Sequence, residues 1–271
     1  MPRRDRHDRR PGQHGPQHGR RPSPPSEHGL EWIWGRHAVE AALANPRRTG
    51  FKRVVLAPGR TLPPPTAGAP ARPAPEALDN REIARLLPPG AVHQGYALQA
   101  APLESVDLDD IAQPAQGVIL MLDQVTDPQN IGAILRCAAA FGARGLVIQD
   151  RHAPPFGGAL AKAAAGAAER VPVARVVNLS RALEQLAALG WRSVGLDGEA
   201  TDRLEAVLDG GPTVLVLGSE GEGLRRLVAE HCDATARIHM PGGFESLNVS
   251  AAAAIALHQA CALAPLGNPI P

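Results

Sequence analysis

Apolar residues follow a regular alternation along the second half of this chain. Beyond Gly117, short continuous apolar runs are separated by stretches in which apolar residues recur at helical spacing. The runs predict strands at 118–123, 145–149, 193–197 and 213–217, and the other stretches predict helices near 131–141, 157–168, 179–189, 223–231 and 248–262. Strands that alternate with helices in this way are typical of an α/β fold, with a parallel sheet covered by helices on both faces.

A smaller α/β domain is predicted before this sheet, over residues 29–101. Its pattern indicates a helix at 35–43, a strand at 52–57, a short helix at 81–87 and a strand at 93–100. Residues 58–76 contain seven prolines and predict an irregular insertion. The acidic segment 102–116 is predicted to be a linker, and 117–265 to be the larger domain.

The amino-terminal segment 1–28 differs from the rest in composition. It has no Val, Ile, Leu, Phe, Tyr or Trp after Met1, so we predict that it is disordered. The chain has a net charge of +1, but the charge is unevenly distributed. This segment contains seven arginines and three acidic residues. Such a tail could bind nucleic-acid phosphates, in which case its removal should weaken binding and lower the salt dependence, or it could only improve solubility.

Cysteine content and hydropathy exclude several classes of protein. The three cysteines lie far apart and lack C-x-x-C spacing, so neither a disulfide framework nor a metal site is predicted. There is no apolar run of the roughly eighteen residues that a membrane span needs, and the start lacks the apolar segment of a secretory signal. We therefore predict a cytoplasmic protein that binds no membrane.

The loops that follow the predicted strands are the candidate sites, because ligands of such sheets bind beyond the carboxyl ends of the strands. In the first loop, 123–132, Asn130 is a plausible N-cap for the next helix, and Arg136 lies about a turn and a half further on. A capped helix with a solvated arginine would also explain these residues, and by itself the loop supports a function only weakly because Asn caps are common.

Two further loops are unusual in composition. The loop that begins at Gly218 has three glycines within 218–223 and the acid Glu220, yet it matches neither a phosphate-binding loop nor a dinucleotide fingerprint. The loop 238–250 contains Pro-Gly-Gly, and Ser246 or Asn248 could cap the helix that follows. That helix starts with small residues at 251–254, which would allow another backbone or another subunit to approach closely.

In this order and at these separations, the three loops resemble the motifs of the SpoU (TrmH-like) family of RNA ribose methyltransferases. The resemblance covers roughly 117–264, and segments 35–39 and 91–95 are similar to the family's RNA-substrate domain. It implies S-adenosylmethionine as cofactor, methyl transfer to a ribose 2′-hydroxyl of RNA, a carboxyl-terminal trefoil knot and a homodimer packed through the knot region. The likeness is greatest to bacterial members that methylate a guanosine of 23S rRNA.

The resemblance also implies roles for individual residues. Residues that match cofactor-binding positions are Gly218, Ile238 and Leu247. Residues that match polar active-site positions are Asn130, Arg136, Glu220, Ser246 and Asn248. Arg136 would act on the donor bound to the other protomer. Because a guanidinium is effectively never deprotonated in proteins, our hypothesis is that Arg136 clamps the RNA phosphate and developing alkoxide while Glu220 or the phosphate takes the proton.

Two alternatives remain open at this point. One is the same reaction on a tRNA or at a different rRNA site, and the other is a non-catalytic RNA-binding or ribosome-assembly protein with this fold. With one Tyr, four Phe and three Trp, the chain has few platforms for base stacking, so phosphate contacts are expected to dominate RNA binding.

Overall fold

The computed structural model describes residues 29–65, 67–151, 153–243 and 246–263. The predicted basic tail 1–28 and the end of the predicted larger domain, 264–265, lie outside these residues. The described chain contains two sheets, one formed between residues 31 and 100 and the other between 118 and 236.

The smaller sheet is a four-stranded mixed sheet with the order β1-β4-β2-β3. Its elements are β1 (Glu31–Trp34), α1 (Arg36–Ala44), β2 (Arg53–Leu56), β3 (Glu76–Ala77), α2 (Asn80–Leu86) and β4 (Tyr96–Ala100). Strand β4 is antiparallel to both β1 and β2, whereas β3 is parallel to β2. The two helices and two of the strands were predicted within a few residues.

The proline-rich segment is irregular as predicted, but its last residue is not. Glu76 begins β3, and the Arg53 side chain donates to both Glu76 carboxylate oxygens, at 2.9 and 2.7 Å. Strands β1 and β3 were not predicted from the sequence. A strand of two residues is too short for any periodicity to show, so β3 exists only through its pairing with β2.

The larger sheet is parallel throughout and has the order β10-β8-β9-β5-β6-β7. Its strands are β5 (Val118–Leu122), β6 (Gly145–Gln149), β7 (Val173–Val176), β8 (Arg192–Leu196), β9 (Thr213–Leu217) and β10 (Ala234–Ala236). Its helices are α3 (Leu108–Ala112), α4 (Pro128–Phe141), α5 (Gly158–Ala164), α6 (Leu179–Ala188), α7 (Leu204–Val207), α8 (Arg226–Glu230) and α9 (Val249–Leu263), with a 3-10 turn at Ala167–Glu169. The predicted parallel α/β architecture is confirmed.

Both faces of this sheet are buried, which explains why the central strand β5 is apolar at every position. Leu120 of β5 points into a core shared with α4, α5 and α9, whereas its neighbour Met121 points into a second core shared with α3, α6 and α8. Strands β7 and β10 and helix α7 were missed. The β7 sequence includes the polar Arg175, and β10 and α7 have only three and four residues.

The expectation that segment 102–116 is irregular is wrong over Leu108–Ala112, which forms α3. The acids that suggested a linker have a different role. Asp107 and Asp110 form a reciprocal capping box at the start of α3, where negative charge is favourable. Leu108 and Ile111 are buried in the second core. Whether this segment also separates two domains stays a prediction.

The two sheets meet through a buried cluster of charges around Arg48, whose side chain is 0% exposed. Its guanidinium lies 2.8 Å from Glu169 of the 3-10 turn and also donates to Glu31 of β1 at 3.2 Å. The Asn45 amide donates to Glu169 at 2.7 Å. Burial raises the pKa of Glu31, although Arg48 acts in the opposite direction. We call these four residues the junction cluster.

Candidate active site

The first two candidate loops leave the sheet side by side. Leu122 and Leu217, the last residues of β5 and β9, are paired partners in adjacent parallel strands. The loops that follow them therefore start at the same carboxyl edge, where ligands bind in open α/β sheets. The 238–250 loop reaches the same place through the start of α9.

Helix α4 begins earlier than predicted, and Asn130 is not its N-cap. Asp127 is the cap, because its carboxylate accepts from the Asn130 backbone N–H at 2.8 Å, and Pro128 occupies the first turn. The Asp-Pro pair was the available sequence signal, since Pro favours the first helical position. Asn130 is thereby placed inside the first turn with its side chain free for other contacts.

The side chains of Asn130, Glu220 and Asn248 form a closed hydrogen-bonded group, which we call the amide–carboxylate cluster. Glu220 Oε1 accepts from Asn248 Nδ2 at 2.6 Å and from Asn130 Nδ2 at 3.2 Å. Asn248 Nδ2 also donates to Asn130 Oδ1 at 2.9 Å. The Val249 backbone N–H, at the start of α9, donates to the same Glu220 oxygen at 3.2 Å. The three motifs are thus joined at one carboxylate oxygen.

Asn248 has the predicted capping role and a second role. Its Oδ1 accepts from the Ser250 backbone N–H at 3.0 Å and from the Ser250 hydroxyl at 2.5 Å, which satisfies donors at the start of α9. Its Nδ2 consequently faces Glu220. The reverse amide orientation would place an oxygen against the carboxylate and an NH2 group against an N–H, so the network fixes the orientation.

The loop that carries Glu220 is held by backbone contact and by an ion pair whose carboxylate is buried. Ser219 and Gly223 exchange two backbone hydrogen bonds, and a Cβ on Gly218 would lie 2.1 Å from the Gly223 carbonyl group. Asp123, which is fully buried after β5, accepts from the Arg225 backbone N–H at 2.9 Å and from its Nε at 2.7 Å. Sequence reasoning missed this pair, because an acid at a strand end gives no indication of its partner.

Arg136 does not join the amide–carboxylate cluster. It is exposed on α4, with no ion pair or side-chain hydrogen bond to another residue in the described ranges. Ser246 is also exposed, and its side chain makes no hydrogen bond within the part of the chain that the structure describes. The structure of the single chain therefore brings together three of the five predicted polar residues.

The three residues predicted to contact the cofactor lie in two of these loops, Gly218 in the loop of Glu220 and the other two in the 238–250 loop. Gly218 presents bare backbone, Ile238 is half-buried against the core, and Leu247 is an exposed apolar side chain at 37%. Backbone polar groups between apolar side chains suit a nucleoside such as the adenosine of S-adenosylmethionine, so these residues fit the cofactor.

Among the described residues there is no cluster of His, Cys, Asp and Glu that could hold a metal ion. No helix in those ranges is long and apolar enough to cross a membrane.

Comparison with known proteins identifies the family. The sequence pattern of the SpoU rRNA Methylase family matches residues 117–258, a range that includes all eight predicted site residues. The chain belongs to the SpoU rRNA methylase family. Its predicted resemblance to that family is confirmed.

Relatives of known sequence agree with this assignment. The chain is 46% identical over 176 residues to the 23S rRNA (guanosine-2′-O-)-methyltransferase RlmB of Xylella fastidiosa, covering 63% of this chain and 71% of that protein. It is 44% identical over 171 residues to an uncharacterized tRNA/rRNA methyltransferase of Mycolicibacterium vanbaalenii, covering 61% of this chain and 54% of that one. The matched region thus spans about half the length of several such relatives.

Among solved structures, the fold is similar to that of the SpoU methyltransferase AviRb from Streptomyces viridochromogenes, crystallised with the cofactor AdoMet. The TM-score is 0.71 at 24% identity, covering 86% of this chain and 90% of AviRb. This similarity supports the fold of the chain.

Proposed function

We propose that this protein transfers a methyl group from S-adenosylmethionine to the ribose 2′-hydroxyl of a nucleotide in RNA. The observation that carries the proposal is the amide–carboxylate cluster, in which Asn130, Glu220 and Asn248 from three motifs meet at one edge of the sheet. Family membership supports the reaction class. The cluster also weakens the alternative of a non-catalytic RNA-binding protein, because it preserves an organised polar site.

The cofactor would be held by Gly218, Ile238 and Leu247. When bound, its sulfonium supplies an activated methyl group with a good leaving group. Gly218 lets the Glu220 loop fold tightly on itself, because a Cβ there would lie 2.1 Å from the Gly223 carbonyl group, and a ligand would meet the backbone of this loop. Leu247 and Ile238 supply apolar walls beside the loop. We also propose that the chain around these loops is threaded as the trefoil knot of the family.

Proton removal is the main task left to the protein, because a ribose hydroxyl is scarcely ionised near neutral pH. Glu220 is suited to accept this proton. Its Oε1 is occupied by the two amides and the Val249 N–H, whereas Oε2 has no hydrogen-bond partner in the described ranges. The cluster therefore positions one carboxylate oxygen and leaves the other available for the hydroxyl.

Arg136 and Ser246 complete the proposed site. The exposed Arg136 is available to a neighbouring molecule, and we propose that it serves the site of the partner in a homodimer, as a clamp on the RNA phosphate. Ser246 lies two residues before Asn248 and would contact the substrate or the donor from the same loop.

The surface proposed for the dimer includes fewer of the small residues of α4 and α9 than their sequence pattern suggested. Ala138 and Ala253 are buried in the core of the protomer, where α4 packs on α9. Ala140 and Ala251 are exposed, and Phe141, which follows Ala140 in sequence, is 36% exposed. These exposed residues at the outer side of α4 and α9 are the part available to a second copy.

We propose a guanosine of 23S rRNA as the target, on the basis of the relative from Xylella fastidiosa. The same reaction on a tRNA or on another rRNA site is the second candidate, favoured by the relatives described as tRNA/rRNA methyltransferases. An rRNA substrate would place the activity in the cytoplasm. Mapping of 2′-O-methyl groups in total RNA from cells with and without the gene separates the two candidates.

The proposed chemistry is tested by single-turnover methyl transfer with Glu220→Gln and Arg136→Lys. We expect Glu220→Gln to lower the rate by about 100-fold or more, because the proton acceptor is lost. Glu222→Gln, an exposed acid in the same loop, is the matched control and should leave the rate unchanged. If Glu220→Gln left the rate unchanged while Arg136→Lys abolished it with RNA binding intact, the roles assigned here would be wrong. Absence of S-adenosylmethionine uptake in calorimetry would favour the non-catalytic alternative.

A further inference from the structure

A cavity of about 330 Å³ opens at the same edge of the sheet, on the other side of β5 from the amide–carboxylate cluster. Its base is apolar and includes Leu122, Ile131 and Ile148, all of which are buried. The rest of its lining consists of Val125 and Ala153 together with the polar residues Gln124, Thr126, Gln149 and Arg151. The volume lies at the lower end of the range for small-molecule sites, and an apolar base with a few polar groups is their usual composition.

The cavity and the cluster share structural elements. Leu122 pairs with Ile148 of β6 on one side and with Leu217 of β9 on the other, so the cavity and the Glu220 loop flank a single strand end. Ile131 lines the cavity and directly follows Asn130. A nucleotide whose ribose lies at Glu220 could therefore place its base in this cavity without leaving the edge of the sheet.

The polar side chains of the cavity are available to a ligand. Within the described ranges, the side chains of Gln149 and Arg151 have no hydrogen-bond partner, and the same holds for Gln124 and Thr126. Gln124 also has a φ of +57°, which is uncommon for a residue other than glycine and tends to occur at functional sites. These polar groups face solvent at the opening, so a ligand there would not have to break hydrogen bonds within the described part of the chain.

Apart from Arg151, the surroundings favour a neutral ligand over a phosphate. Asp127, next to Thr126, places its carboxylate at the start of α4, so the helix N-terminus that could otherwise attract an anion is already occupied by a negative charge. An apolar base also disfavours a group with full negative charge. A nucleobase, which combines flat apolar faces with polar edges, satisfies both conditions.

We propose that this cavity binds the base of the nucleotide that is methylated, and that Arg151 recognises it as guanine. This inference rests on the proposed function. Enzymes that modify a base take it out of its stack and hold it between apolar side chains with hydrogen bonds to its edge, and an enzyme that selects a nucleotide by its base can use the same kind of pocket. A guanidinium presents two parallel N–H donors that match O6 and N7 of guanine, and Gln149 can serve the remaining edge. Selection of the target base then lies in the β5 and β6 loops.

The test pairs a protein change with a change of one atom in the RNA. A 23S rRNA fragment carrying the mapped target is prepared with guanosine or with 7-deazaguanosine, which lacks N7, at that position alone. We expect 7-deazaguanosine to lower kcat/KM of the unaltered protein by about 10-fold or more, and Arg151→Met to lower it similarly for guanosine. Arg151→Met should then show no further loss with 7-deazaguanosine, since the partner of N7 is already absent.

Arg181→Met is the matched control, because it removes an exposed arginine from α6, outside the cavity lining. It should retain the full response to 7-deazaguanosine. Both variants should bind S-adenosylmethionine as the unaltered protein does. Equal responses of the unaltered protein and Arg151→Met, no response in either, or a target other than guanosine would overturn the inference. If the unaltered protein methylated no RNA at all, the proposed function itself would fail, which is a distinguishable result.

Discussion

The junction cluster and the amide–carboxylate cluster are built from similar groups but differ in exposure and charge. In each, a glutamate accepts a hydrogen bond from an asparagine amide. Glu169 of the junction cluster is 4% exposed and lies against the fully buried guanidinium of Arg48. Glu220 is exposed, and its partners are neutral amides and a backbone N–H. A neutralised, enclosed carboxylate can stabilise the fold, whereas an open carboxylate with one free oxygen can accept a proton.

The largest expected effect on stability comes from Arg48→Met. Removal of the guanidinium leaves Glu169 buried without a countercharge, and such losses cost about 3–5 kcal/mol. Urea unfolding should show this decrease in the free energy of unfolding. Arg47→Met is the control, because Arg47 is exposed and makes only one long contact, at 3.5 Å, to the Glu169 backbone. Similar losses in the two variants would show that the junction cluster has no special role.

Asn248→Ala should separate the two roles of the amide–carboxylate cluster. Loss of the cap on α9 is expected to cost about 1 kcal/mol of stability, and loss of the hydrogen bond to Glu220 should lower the rate of methyl transfer by about 10-fold to 100-fold. Asn178→Ala is a matched control, since Asn178 caps α6 by accepting from the Arg181 N–H at 3.2 Å. It should show the stability loss without the rate loss. Equal losses of the methyl-transfer rate in the two variants would show that Asn248 acts only as a helix cap.

The smallest effect concerns the pH dependence of stability at the junction cluster. Burial raises the pKa of Glu31 above its ordinary value of 4.5, so its contribution to stability is greatest below that pH and is lost as pH rises through the folded-state pKa. Glu31→Gln should remove this loss, so the stability of the variant relative to the unaltered protein should increase from acid to neutral pH.

Glu76→Gln provides a comparison of opposite sign. The hydrogen bond from Arg53 lowers the pKa of Glu76, so the stability that Glu76 contributes is present above pH 4.5 and is lost as pH falls through the lowered value. Chemical denaturation at several pH values measures both trends. Parallel pH profiles for Glu31→Gln and Glu76→Gln would contradict the opposite directions of the two pKa shifts.

The sequence by itself determined the fold class, most of the helices and strands of the larger sheet, and the three loops at its edge. These features have local causes. A strand that is buried on both faces must be apolar at each position, as in β5, and a helix that packs on one side must repeat its apolar residues at helical spacing. Family resemblance then assigned active-site roles to residues such as Asn130 and Glu220. The local pattern alone indicated only a possible helix cap for Asn130 and a loop position for Glu220.

Only the tertiary structure decided which side chains meet. Asn130 and Asn248 are 118 residues apart, and Asn130 and Glu220 are 90 apart, so their contact depends on the strand order that places β5 next to β9. Asp127 caps α4 through a local contact, whereas the Asn130 side chain turns to the site because Glu220 and Asn248 are brought there from distant elements. The cavity beside Arg151 is likewise a product of the pairing of β5 with β6. Periodicity reflects which side of an element is buried, whereas partner choice depends on how distant elements are arranged in space.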